Sequence, residues 1–115
     1  MLKIFNYRCA AFYMILLIII GLAGTASGDE LATGASLYEA KCQICHGANG
    51  RGDGPAAAAL NPKPRDFTNP AFWQNNADEK IKRTVTTGKG MMPAFGLDND
   101  EIQAITDYMH HTFKK

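Results

Sequence analysis

Within 115 residues the chain places Cys42-Gln43-Ile44-Cys45-His46, two thiols three positions apart followed at once by an imidazole. Ordinary Cys and His usage produces this pentapeptide by chance in well under roughly one in a hundred chains of this length. A disulfide between Cys42 and Cys45 would close too short a loop to remove much chain entropy, so as a structural staple the pair is poor. Whatever the chain folds into must therefore be organised around these side chains for another reason.

The first 28 residues are a leader rather than part of the fold. Lys3 and Arg8 form a positive start, Ala10 to Leu22 is apolar without a charge, and the small residues Ala23 to Gly28 follow. This is the pattern of a secretory signal peptide, with cleavage expected after Gly28 or, as the lesser choice, after Ala26. The apolar run is shorter than the roughly 18 to 20 residues that span a bilayer, which favours cleavage over a retained anchor. Cys9 lies before the apolar run and does not suit lipidation. The expectation is an exported, periplasmic chain without stable membrane insertion, or a membrane-anchored one if the leader is kept.

Removal of residues 1 to 28 leaves 87 residues, 29 to 115, with 10 basic and 11 acidic side chains and two cysteines. A near-neutral chain of this kind does not suit nucleic acid. A domain of about 60 to 90 residues buries only some 60% of its unfolded surface, so a large apolar cofactor at its centre would supply missing core.

Helical signals dominate the mature segment. Thr33 is a candidate cap for a helix from Ala35 to Lys41, ending in the Cys-x-x-Cys-His run. A glycine-rich loop follows, then one or two turns over Ala56 to Leu60, stopped by Asn61-Pro62-Lys63-Pro64. Pro70, with Thr68 or Asn69 as cap, suits a short helical element within Phe67 to Gln74. Asn76 is the candidate cap of a helix from Ala77 to Thr87, with Gly88 as its stop. Asp98 and Glu101 form a capping-box pattern ahead of Ile102, Ile105, Tyr108 and Met109 on one face. No period-two alternation is sustained, so no sheet is expected, and no repeat is present.

The Cys-x-x-Cys-His pattern is read as covalent haem attachment, the thiols adding to the haem vinyl groups and His46 taking one axial position on iron. Two other readings compete. A thioredoxin-like redox pair needs strands that the chain lacks. A zinc site could draw on Cys42, Cys45, His46 and one of His110 or His111, but adjacent Cys45 and His46 crowd a tetrahedron.

The mature segment resembles the class I c-type cytochromes. The matching pieces run in family order: Leu37-Tyr38, Cys42 to Gly47, Gly52-Asp53-Gly54-Pro55, the stretch Gly88 to Gly96 containing Met91-Met92-Pro93, and Tyr108. The resemblance implies a small all-α fold in which N- and C-terminal helices cross over one central, covalently bound haem c, with Gly34 and Tyr38 meeting Tyr108. It implies Met92, before Pro93, as the second axial iron ligand. Met91 is the runner-up, ahead of His110, His111 or no protein ligand. It also implies that the backbone carbonyl of Pro55 receives the second ring N–H of His46. Haem propionates call for donors, and the candidates are Arg65, Lys63, Trp73 through its indole N–H, and Asn75 or Asn76.

The function implied is single-electron transfer in a respiratory or periplasmic redox chain, with redox proteins as partners and no catalysis of its own. The alternatives are a haem subunit docked to a larger oxidoreductase, and a haem sensor or enzyme with a displaceable sixth ligand.

Overall fold

The computed structural model describes residues 26–115. Most of the expected leader, residues 1–25, lies outside them. Helix α1 (Ala26–Lys41) begins far ahead of Thr33, which is exposed and helical and caps nothing. The reason lies in the packing stripe: half-buried Leu31 stands one turn before buried Gly34 and two before buried Tyr38. Asp29 in the first turn suits the positive helix end. The short helix α2 (Gln43–His46) follows after Cys42. Single 3-10 turns occupy Ala57–Ala59 and Pro70–Trp73. At the second, Asn69 is the cap, its side chain accepting from the Ala71 amide at 2.9 Å, and Pro70 opens the turn.

Helix α3 (Ala77–Thr87) buries Ala77, Ile81 and Val85, one face at four-residue intervals. Asn76 stands at its N-terminus as expected, yet in a left-handed backbone conformation (φ 60°) and without a side-chain capping bond. Gly88, at φ 75°, ends the helix where a side chain would be strained, and its amide donates to the Thr84 carbonyl at 2.8 Å. Helix α4 (Asn99–Phe113) carries the full capping box: Asp98 accepts from the Asp100 and Glu101 amides at 2.9 Å, and Glu101 accepts from the Asp98 amide at 3.0 Å.

No strand is present among the described residues, only an isolated Lys89–Met92 bridge. The core comprises Tyr38, Phe67, Ile81, Val85, Ile102, Ile105, Met109 and Phe113. Each fully buried side chain of this size contributes about 1.5 to 3 kcal/mol of transfer free energy. Helices α1 and α4 pack so closely at Gly34 that a Cβ there would overlap the Ala104 carbonyl, with Tyr108 beside it. Tyr38 and Tyr108 meet at a ring separation of 5.5 Å, as the resemblance implies.

Candidate haem site

The Cys-x-x-Cys-His segment forms because α1 hands its last carbonyls to the next turn. The Cys42 amide donates to the Tyr38 carbonyl at 2.8 Å, and the His46 amide donates to the Cys42 carbonyl at 2.9 Å. Cys42 and Cys45 are both half-buried free thiols, and Cys42 packs against the core. Burial pushes the Cys42 thiol up to about 11, against a lowering by Lys41. Ile44, between them, is one of the two large apolar side chains that stand exposed among the described residues.

His46 is buried and its Nδ1 lies 3.2 Å from the Arg65 carbonyl. A carbonyl can only accept, so Nδ1 carries the proton and, in the neutral ring, Nε2 keeps a free lone pair. Burial holds the His46 pKa below the usual imidazole range, against a raising contribution from the Arg65 carbonyl, and so favours this neutral form. The ring also stacks on Phe67 at 4.5 Å and 23°. Fixing one ring nitrogen to a backbone acceptor is what orients an imidazole as a metal ligand.

This arrangement corrects the expectation for Pro55. It stands nine residues after His46 but is exposed, and the acceptor at Nδ1 belongs to Arg65, because residues 64–68 lie along the glycine loop. The Phe67 amide donates to the Gly50 carbonyl at 2.7 Å, which fixes this strap. Asp66 stabilises its bend by accepting from the Thr68 amide and hydroxyl, which lower its pKa. Sequence reasoning missed Phe67 and the Arg65 carbonyl. A backbone acceptor leaves no residue-type signal, although Pro62 and Pro64 mark a chain too constrained for a helix.

Trp73 also departs from expectation. Its indole N–H donates to the Phe67 carbonyl at 2.8 Å and is not left free for a propionate. The side chains of Lys63, Arg65, Asn75 and Asn76 are exposed. His110 lies on α4 with Nε2 2.6 Å from the Asp78 carboxylate, and its ring meets that of Trp73 at 4.5 Å in a tilted arrangement. It is thus engaged elsewhere, and His111 is exposed.

The two adjacent methionines differ. The loop after α3 turns back on itself: the Lys89 amide donates to the Met92 carbonyl at 2.9 Å, and the Met92 amide donates to the Lys89 carbonyl at 3.0 Å. Met92 is half-buried against the core while Met91 is 60% exposed. The Phe95 amide, donating to the Val85 carbonyl at 2.8 Å, ties the loop's far end to α3.

Two neighbouring thiols, a neutral imidazole with one nitrogen unengaged and an inward thioether form a donor set suited to haem c. The all-helical fold and this donor set define a class I c-type cytochrome. The chain belongs to the family described as cytochrome c oxidase, cbb3-type, subunit III, whose profile matches residues 29–109. Its cofactor is accordingly one covalently bound haem c. It is 36% identical over 95 residues to the cbb3-type cytochrome c oxidase subunit FixP of Azorhizobium caulinodans, a match covering 77% of this chain and 30% of that protein. It is 34% identical over 97 residues to cytochrome c6 of Gloeothece citriformis, covering 81% and 83% of the two chains. Cytochrome c6 of Leptolyngbya boryana is 36% identical over 84 residues, covering 70% and 89%. The chain thus spans less than a third of the FixP protein and most of the cytochromes c6.

Proposed function

We propose that the chain is an exported single-electron carrier, with haem held through Cys42 and Cys45 and iron bound between His46 and Met92. Two observations support this reading, a His46 ring fixed in its neutral form and a methionine loop that seats Met92 against the core while Met91 stands in solvent. When bound, the haem supplies a one-electron Fe(III)/Fe(II) couple. The polypeptide's part is to hold the imidazole in one orientation, to limit water around the iron and to offer a soft thioether that favours the ferrous state. If His46 and Met92 both hold the iron, no position would be left for a substrate, which disfavours the sensor or enzyme alternative.

Residues 1–28 are read as a cleaved leader that delivers the chain to the periplasm; retention would leave it membrane-anchored. No helix among the described residues is long and apolar enough to cross a membrane. Exposed Ile44 and Met91 flank the thiols and the Met92 loop, and these apolar side chains suit contact with a redox partner. The likeness to FixP favours a second reading, a haem unit working within a larger oxidase.

A redox titration of the purified exported protein in the presence of carbon monoxide tests the proposal. The expected result is a single one-electron wave that carbon monoxide does not shift. Rapid carbon monoxide binding to the native ferrous protein would overturn the carrier reading in favour of a displaceable sixth ligand.

A further inference from the structure

Across the described residues, one line of contacts runs from the outer face of the helices to His46. Asp78 on α3 meets His110 on α4, with Nε2 to Oδ1 at 2.6 Å. The His110 ring lies 4.5 Å from the Trp73 ring. The Trp73 indole N–H donates to the Phe67 carbonyl at 2.8 Å, while the Phe67 amide donates to the Gly50 carbonyl at 2.7 Å. The Phe67 residue is therefore held from both peptide ends. Its ring lies nearly parallel to His46 at 4.5 Å, and the carbonyl two residues earlier, that of Arg65, sits at His46 Nδ1.

We propose that Trp73 is a positioning residue for His46, acting through the Arg65 to Phe67 strap and seated by the His110–Asp78 pair. This rests on the reading of His46 as an iron ligand. The hydrogen bond of Trp73 goes to the strap and not to His46, so its role is to fix the strap. Without the indole hydrogen bond the Phe67 carbonyl has no protein donor, and the strap is free to move away from the imidazole. The hydrogen bond from Nδ1 to Arg65 then weakens, and the ring becomes a poorer electron donor to iron, because an acceptor at the remote nitrogen raises ligand basicity. A poorer donor favours the ferrous state, so the reduction potential rises.

The test compares native protein with Trp73→Phe, which keeps an aromatic ring but removes the N–H, and with His110→Gln, a milder change nearer the surface. The readouts are solvent exchange of the His46 Nδ1 proton in the ferrous protein, followed by NMR, and the reduction potential. Trp73→Phe should speed exchange roughly tenfold. It should also shift the oxidised-to-reduced ratio at fixed ambient potential about threefold toward reduced, roughly 28 mV on a scale of 59 mV per decade. His110→Gln should move both readouts in the same direction by a smaller factor, and it carries the test if Trp73→Phe does not fold. If both variants lower thermal stability while exchange and potential stay at native values, Trp73 only packs and the proposal is wrong. If the His46 ring signals of native ferrous protein show no haem ring-current shift, the ligand reading itself fails, a result distinct from the first.

Discussion

The two sides from which iron would be gripped are built differently. Around His46 every neighbouring group is fixed: its ring by Phe67 and the Arg65 carbonyl, its own carbonyl by the Gly52 amide at 2.8 Å, and the next carbonyl, of Gly47, by the buried Tyr38 hydroxyl at 2.9 Å. Around Met92, residues 88–97 include no fully buried side chain, and the loop is held by one back-to-back amide pair and, at its two ends, by the Gly88 and Phe95 amides donating to α3. Few buried contacts mean a low local cost of opening. The imidazole side thus behaves as part of the core, whereas the loop that would supply the thioether is a less firmly anchored flap.

That contrast can be broken by exchanging stability effects between the sides. Phe67→Ala removes a buried ring that joins His46, Phe72 and Phe113, and should cost about 3 to 5 kcal/mol in denaturant unfolding. An effect under about 1 kcal/mol would show that the strap is not core. Tyr38→Phe keeps the ring and removes one of the two donors to the Gly47 carbonyl, which keeps the Gly50 amide at 3.1 Å, for an expected loss of about 0.5 to 1.5 kcal/mol. The Tyr38 hydroxyl, pushed well above its ordinary pKa chiefly by burial, stays protonated and donating across the accessible pH range. On the flap, Met91→Ala should change stability by no more than about 0.5 kcal/mol, since the side chain is mostly in solvent. A larger loss would mean that Met91 packs inward.

The fold was legible where short-range chemistry decides it. The Asp98–Glu101 capping box, the helix from Ala77 to Thr87 and the Gly88 stop all stand where the sequence puts them. Gly34 and Tyr38 meet Tyr108 as the resemblance implies. Thr33 misled because a polar residue on an exposed helix face looks the same in sequence as a cap. At the site, side chains with distinctive chemistry were readable, and backbone was not. The acceptor for His46 depends on how residues 64–68 fold back over the glycine loop, a long-range arrangement that Pro55's spacing does not encode. The Trp73 N–H marks a donor in the sequence, but its acceptor, the Phe67 carbonyl, is fixed only once the strap is in place.

The smallest expected effect sharpens the account of that strap. The Asp66 pKa is lowered in the folded chain, first by the Thr68 hydroxyl and then by the Thr68 amide. The sign follows: the ionised form is favoured by folding, so the contribution is present above the unfolded carboxyl value of roughly 3.9 and is lost as pH falls through the lower folded value. Thr68→Val should remove part of it, seen as a slight loss of stability at neutral pH that vanishes in acid. Because Asp66 is exposed the effect is a few tenths of a kcal/mol at most. Equal losses at neutral and acid pH would assign them to packing instead.

The absorption spectrum of the oxidised protein tests the central claim most directly, through the sulfur-to-iron charge-transfer band that methionine ligation produces. The account predicts the band in native protein, its retention in Met91→Ala, and its loss in Met92→Ala. A band that survives Met92→Ala, or is absent from the native protein, would contradict it.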